Sequence, residues 1–283
     1  MTKVYAGIVG VIFFMFSTAA TMNMSPKDDF IKSIIESIPN PLELTTLIKE
    51  TGTEYVKGEL ANSSSSSKYT DSYERALNLG VYGTDLGFAS IYNKNQDVLD
   101  YLSAIKELAN GLSIGQFFDA ETLKELTSNS DNLEELIRSS TRNLQDINEQ
   151  LQTEKREHLS VLFVTGGWIE STHLLADMHK KTKNAKLKER LAEQKIVLDR
   201  LMMALDAHKT QPKFNSLIAQ LKEVQKVYRK VKEETTEGTS ETVITENGPE
   251  VRNVGGGTTY TMTDKDAAEL GALLNGIRSG FVK

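Results

Sequence analysis

The segment Leu159–His179 constrains the fold most, because it is long, free of proline and carries very little charge. If it forms a helix, its first half is apolar on nearly every side, which is typical of a helix at the centre of a bundle. Positions at helical spacing from Leu159 form a stripe that changes from apolar residues to glycine and then to ionisable groups. That stripe contains Phe163, Gly166, Glu170, His173 and Asp177. The sequence therefore predicts a bundle centre whose buried stripe becomes polar.

A second segment, Asp71–Asn93, carries small residues along one face of a predicted helix. They are spaced alternately by four and three residues, as on a helical stripe: Ala76, Gly80, Gly83, Gly87 and Ser90. Glycine inside a helix costs about 1 kcal/mol relative to alanine. Three glycines in one stripe therefore indicate that another helix or a ligand comes close. We expect Gly166-Gly167 of the central segment to be the partner.

Apolar stripes at helical spacing cover most of the remaining chain and predict long antiparallel helices joined by short loops. The first of these helices begins at Pro26. Asp119 and Asp131 are predicted to cap two further helices, and Thr263 with Asp266 forms a capping-box pattern before the last one. The predicted fold class is all-α: a multi-helix antiparallel bundle with a small irregular or hairpin insertion before the C-terminal helix.

The N-terminus predicts a signal peptide over residues 1–20. Lys3 supplies the positive charge, Val4–Phe16 the apolar core, and Thr18-Ala19-Ala20 the small residues of a cleavage site. The alternative is an uncleaved anchor, because Val4–Met24 is uncharged and nearly long enough to span a bilayer. We therefore expect an exported protein, periplasmic or extracellular, that meets a membrane only through an uncleaved N-terminus.

The rest of the chain divides into two predicted parts. Residues 21–68 form an N-terminal helical segment that ends in five consecutive serines within Asn62–Ser67, a composition typical of a flexible linker or exposed loop. Residues 69–283 form the bundle domain. Within it, residues 235–262 are polar and rich in threonine, with a turn pattern at Asn247-Gly248. That insertion is either a small hairpin or a mobile loop.

Composition argues against several classes of function. The formal net charge of −6 argues against a nucleic-acid partner, because phosphate binding needs a basic face. The chain has no cysteine, which excludes disulfides, thiolate zinc sites and cysteine nucleophiles. The glycines at 255–257 lack the lysine and hydroxyl residue that complete a phosphate-binding loop. We predict no cofactor.

Glu170 and His173 have the Glu-x-x-His spacing that places a carboxylate and an imidazole on one helix face, as in di-iron bundles. No other histidine of the chain lies in a second such pair, so the sequence does not support a di-iron site. A mononuclear metal site formed by Glu170, His173 and Asp177 stays open. Its alternative is a buried polar cluster whose members satisfy one another.

A ligand site is predicted between the glycine-rich helix and the central helix. Its candidate residues are Tyr82, Asp85, Trp168, Glu170 and His173, which would form a partly apolar pocket with a few polar groups. Trp168 is the only tryptophan, and its helical spacing from other apolar residues is also that of a core side chain. We identify no catalytic residue.

Four stretches together resemble a known group of proteins: NLGVYGTDLGFASIYNKNQDVLDYLSAIKELANGL, VTGGWIEST, EQKIVLDRLMMAL and GIRSGFVK. The group consists of exported, all-helical bacterial proteins without known activity, many of which look like lipoproteins. The resemblance extends over most of residues 70–283 and implies export and a helical fold. It brings no activity, cofactor or site residue, and this chain lacks the cysteine that the lipoprotein members acylate.

Three functional hypotheses follow. The first is an exported binding or interaction module of the bacterial envelope, rather than an enzyme, whose partner is an unknown small ligand or an envelope protein. The second is a metal-binding protein or metal-dependent enzyme that uses Glu170, His173 and Asp177. The third is a structural envelope protein with the bundle as a spacer and residues 235–262 as the contact.

Overall fold

A computed structural model describes residues 26–118, 133–237, 239–245, 248–254 and 257–283. Over these ranges the chain is an all-α helical bundle with a small β ribbon before the last helix, which confirms the predicted fold class. The helices are α1 (Pro26–Glu36), α2 (Pro41–Glu50), α3 (Ser72–Ile91), α4 (Asn95–Gly111), α5 (Leu133–Thr153), α6 (Glu157–Thr182), α7 (Ala185–Asp206), α8 (Pro212–Tyr228) and α9 (Asp264–Ser279). The strands are β1 (Lys232–Thr236), β2 (Thr239–Thr245), β3 (Gly248–Val254) and β4 (Gly257–Thr261). The predicted signal peptide and the predicted caps Asp119 and Asp131 lie outside the described residues.

Helix α6 is the centre of the bundle, as the apolar character of Leu159–His179 predicts. It packs against α1, α2, α3, α5, α7 and α9, and nearly all of its residues over that range are buried. The helix ends where Lys183 adopts a left-handed conformation, with φ of 54°. Asn184 then caps α7 by accepting a hydrogen bond from the backbone N–H of Lys186 at 2.9 Å. None of the helices in the described ranges combines the length and the apolar character needed to cross a membrane.

Helices α3 and α6 approach each other closely at glycine residues. A Cβ atom on Gly80 would overlap the carbonyl oxygen of Phe163 and lie 2.6 Å from the backbone nitrogen of Gly167. A Cβ on Gly166 would overlap the carbonyl of Leu77 in the same way. The predicted close approach of these two helices is therefore confirmed.

The glycine stripe is not uniform along α3. Gly87 faces the side chain of Leu42 in α2 rather than α6. Gly83 has no atom within 4 Å of the position where its Cβ would lie, so the expectation that it belongs to the close contact is wrong. Beyond Gly80, α3 contacts α6 through Thr84 and Asp85 rather than through Gly83 or Gly87.

The serine-rich segment is ordered rather than a flexible linker, which corrects the sequence prediction. Ser63–Lys68 forms a 3-10 helix that packs on α4, and Ser65 and Ser66 are buried. The Asn62 side chain accepts a hydrogen bond from the backbone N–H of Ser64 at 3.1 Å, and the Ser66 hydroxyl donates one to Glu107. Serine and asparagine side chains form hydrogen bonds that stabilise this turn of helix, and the composition of the segment does not reveal those bonds.

The insertion before α9 contains a β ribbon, so the hairpin alternative is confirmed. β1 pairs with β4 and β2 pairs with β3, both antiparallel. Both ladders keep the same register: Thr236 pairs with Gly257, and Thr239 pairs with Val254, three residues further on each strand. The base of the ribbon lies against α7, where Lys195 binds Glu233.

The last helix, α9, returns to the bundle as predicted. The Thr263 hydroxyl caps it by accepting a hydrogen bond from the N–H of Asp266 at 3.1 Å, which confirms the capping pattern. The helix packs against α6, α7 and α8. Beyond it, the backbone N–H of Lys283 donates a hydrogen bond to the Tyr69 hydroxyl at 2.9 Å.

Candidate functional site

Four of the predicted site residues lie in one buried region. Asp85 of α3 is close enough to Glu170 of α6 to hydrogen-bond with it, and His173 and Asp177 follow along the same face of α6. The exposed fractions of Asp85 and Glu170 are both 0%. These carboxyl groups therefore have to find their partners inside the protein.

Tyr82 and Trp168 form hydrogen bonds with other partners, although Tyr82 lies close enough to Asp85 to be affected by its charge. The Tyr82 hydroxyl donates a hydrogen bond to the carbonyl oxygen of Asn62 at 2.9 Å, beside the 3-10 helix. The Trp168 indole N–H donates to the amide oxygen of Gln194 in α7 at 3.2 Å. Trp168 is thus a core residue of the α6–α7 contact.

The main cation of this region is Arg278 of α9, which the sequence prediction missed. Its Nη2 donates to Glu170 Oε1 at 2.9 Å, and its Nε donates to Glu170 Oε2. Nη2 also donates to the carbonyl oxygen of Glu59 at 3.3 Å. Only 11% of the Arg278 side chain is exposed. A bidentate pair of this kind is strong and directional, so it fixes α9 on α6.

Asp85 differs from Glu170 in its partners. Its Oδ2 accepts a hydrogen bond from the backbone N–H of Ala61 at 3.0 Å, whereas its Oδ1 receives none from the described residues. Burial raises the pKa of Asp85 well above its usual range, and the charge of Glu170 raises that pKa further, while Arg278 opposes both. Burial and the neighbouring carboxylate therefore make Asp85 harder to ionise than an exposed aspartate.

Side chains of the cluster form hydrogen bonds with backbone groups of residues 59–62, the short segment that precedes the serine-rich helix. The Tyr101 hydroxyl donates to the carbonyl oxygen of Ala61 at 2.7 Å, beside the bond from Tyr82 to Asn62. Burial raises the pKa of both tyrosines, so each stays a neutral donor. With the bonds from Asp85 and Arg278 described above, side chains of α3, α4 and α9 fix one short segment.

At the outer end of the cluster, a lysine balances the negative charge of two carboxylates. Lys181 binds Glu59 and lies 3.3 Å from Asp177. Burial alone would raise the pKa of Asp177, but its hydrogen bonds with Glu59 and Lys181 lower it. Burial lowers the pKa of His173, against the opposing charge of Glu170, so this imidazole is neutral in the folded protein.

The metal hypothesis depends on Glu170, His173 and Asp177 acting together. Within the part of the chain that the structure describes, no group of three His, Asp or Glu side chains is arranged to hold a metal ion. Glu170 binds Arg278 with both oxygens, and Asp177 binds Lys181. A metal would have to displace these cations, because each competes for the same oxygens.

In comparisons with known proteins, no family model matches this sequence, and no curated protein and no solved structure matches it. The centre of the cluster is closed: two buried carboxyl groups, one guanidinium and two tyrosines bind each other or protein backbone. This arrangement can stabilise a fold and hold a proton, and its exposed charge, Lys181, is paired with Glu59 and Asp177.

Proposed function

We propose that this chain is an exported interaction module of the bacterial envelope. In this proposal the helical bundle is a rigid support, and the ribbon formed by β1, β2, β3 and β4 is the surface that contacts a partner protein. The N-terminal apolar segment and its small-residue site support export. The unpaired strand edge of the exposed strand β1 is the single observation that supports the contact.

The bundle is better suited to support than to small-molecule binding. Small-ligand sites are usually concave and present a few polar groups to the ligand. Here Asp85 and Glu170 are fully buried, and Arg278 occupies both oxygens of Glu170. A ligand that reached these groups would first have to displace α9, at the cost of leaving Glu170 without its cation.

The ribbon has the features of a β-edge contact. Each of its ladders contains two strands among the described residues, so each strand keeps one edge without a strand partner there. Every residue of β1 is exposed. An unpaired strand edge offers a row of N–H and C=O groups, and a partner protein can add a strand to it. β2 has seven residues, which gives an edge of roughly 20 Å.

Crosslinking tests the contact. A photoreactive amino acid is placed at Glu234 on β1 and, as a matched control, at Glu223 on α8, both of which are exposed. In cells, the proposal expects one specific crosslinked protein from position 234 and none from position 223. Replacing residues 237–256 by Asn-Gly shortens the ribbon to the β1–β4 ladder and should abolish that product. Identical products from both positions, or an undiminished product after shortening, would contradict the proposed contact.

Fractionation tests export separately. The full chain, produced in a bacterium with a C-terminal tag, should be released with the periplasm and should begin near Thr21 when its N-terminus is sequenced. A chain with Ile8 and Val11 changed to Asp is the control, because two charges destroy the apolar core that a signal peptide requires. Retention of both proteins in the cytoplasm would remove export from the proposal without affecting the ribbon contact.

A further inference from the structure

The buried cluster contains one acid more than it has nearby bases. Asp85 and Glu170 are each fully buried, and the Arg278 guanidinium binds Glu170 and lies close enough to Asp85 to interact with its charge. Two ionised carboxylates beside one guanidinium would leave a buried net negative charge, which is costly in a low-dielectric interior. One proton on the pair removes that charge.

The hydrogen bonds of the four carboxyl oxygens indicate which oxygen carries that proton. Both oxygens of Glu170 accept bonds from Arg278, and Asp85 Oδ2 accepts one from the N–H of Ala61. Asp85 Oδ1 receives no hydrogen bond from the described residues, although it is buried and Glu170 is its neighbour. A protonated carboxyl group has one O–H to donate. With the proton on Oδ1, that O–H donates to the Glu170 carboxylate, and all four carboxyl oxygens are satisfied.

Other groups near the pair do not supply the missing charge. Lys181 binds Glu59 and Asp177 instead, and His173 is kept neutral by burial. The ionisable groups around Asp85 and Glu170 belong to α3, α4, α6, α9 and the 3-10 helix Lys57–Glu59: Tyr82, Tyr101, His173, Asp177, Lys181, Arg278 and Glu59.

From this arrangement we infer that Asp85 and Glu170 bind one proton between them at neutral pH, and that this proton allows α3 and α6 to pack closely at the pair. The inference is independent of the ribbon contact. Losing the proton turns Asp85 into a second buried anion beside Glu170. The contact of α3 with α6 is the one that then loosens, because these two helices carry the carboxylates that repel each other.

Proton release on unfolding tests the inference. The ordinary pKa of aspartate is about 3.9, so Asp85 in the unfolded chain gives up its proton at neutral pH. Wild-type protein should therefore release one more proton per chain on unfolding than Asp85→Asn, measured by calorimetry in buffers of different ionisation enthalpy. Asparagine is the matched variant, because its amide oxygen can accept from Ala61 and its NH2 can donate to Glu170 without a titrating proton. Equal proton release from the two proteins would overturn the inference.

Two further measurements keep the test decisive if the variant folds poorly. Folded wild-type protein at neutral pH should show the infrared carbonyl band of a buried, protonated carboxylic acid, and the band should disappear at alkaline pH. Absence of that band at neutral pH overturns the inference without any variant. Hydrogen exchange at alkaline pH tests the role of the proton in the helix contact: amides of α3 and α6 beside the pair should exchange faster in wild-type protein than in Asp85→Asn. Equal exchange would overturn the role of the proton in that contact.

Discussion

The contact between α3 and α6 and the ribbon before α9 are built in opposite ways. At the α3–α6 contact, Gly80 lies against backbone of the other helix, and the adjoining carboxyl groups are fully buried. In the ribbon, pairing is local and antiparallel, and all of β1 is exposed. Changes in the first region should therefore alter folding stability. Changes in the second should leave stability nearly untouched and alter association.

The largest effect is expected from Arg278→Met, which leaves the buried Glu170 carboxylate without its cation. Removing one partner of a buried ion pair typically costs roughly 3–5 kcal/mol of unfolding free energy. Urea denaturation should show a loss of this size, whereas Arg229→Met, at an exposed position on the end of α8, should stay within about 0.5 kcal/mol of wild type. The double variant Arg278→Met with Glu170→Met should recover much of the loss, because the uncompensated charge is gone. A single variant as stable as its exposed control would show that Glu170 does not depend on Arg278.

The next effect distinguishes two glycines of the same helix. Gly80→Ala places a methyl group on the backbone of α6, 2.6 Å from the nitrogen of Gly167, and overpacking of this kind costs about 1–3 kcal/mol. Gly83→Ala meets no atom within 4 Å and should instead stabilise α3 by about 1 kcal/mol, the helix preference of alanine over glycine. Thermal or urea unfolding of both variants measures this difference. Shifts of the same sign would mean that the two helices do not meet at Gly80.

These two regions also show how far the sequence determines the structure. The apolar run Leu159–His179 and the glycines at 80 and 166 predict α6 and its close contact with α3. Helix periodicity and glycine cost are local properties, so they are visible in one sequence. For the insertion, the sequence leaves a hairpin and a loop open, and the structure selects the hairpin. The prediction for Gly83 is wrong, because equal spacing along α3 does not show which residues face α6: Thr84 and Asp85 continue the contact beyond Gly80.

The cluster is predictable only in part. Glu170, His173 and Asp177 lie on one stripe of a single helix, so their proximity follows from spacing. Arg278 is 108 residues from Glu170 along the chain, and no local pattern joins them. One sequence signal points to Arg278: it lies at helical spacing from Ala267 and Leu274, on the buried face of α9. An arginine on an otherwise apolar face needs a buried anion as its partner.

A smaller effect concerns the pH dependence of the bundle. Burial lowers the pKa of His173 below its ordinary value of 6.5, so the folded protein holds this imidazole neutral. As pH falls below 6.5, the unfolded chain takes up a proton that the folded chain does not, and stability decreases until the lower folded pKa is reached. His173→Gln should lose this contribution, up to about 1.4 kcal/mol per pH unit.

Urea unfolding at neutral and mildly acidic pH measures the His173 contribution directly. Burial also lowers the pKa of His158, so His158→Gln should remove a separate contribution of the same sign. The two effects should add, because the residues lie in different parts of the bundle. If His173→Gln kept the full pH dependence of the wild-type protein, the imidazole would not be excluded from protonation in the folded state.

The smallest effect on stability is expected from shortening the ribbon, although its effect on association should be complete. Replacing residues 237–256 by Asn-Gly keeps the β1–β4 ladder and its contact with α7, including the pair of Lys195 with Glu233. An isolated two-stranded hairpin is only marginally stable in water, so its outer part contributes little to the bundle. The free energy of unfolding should change by less than about 1 kcal/mol, within the range of surface changes. A loss as large as that of Arg278→Met would show that the ribbon is part of the folding unit, and the contrast between the two regions would then be wrong.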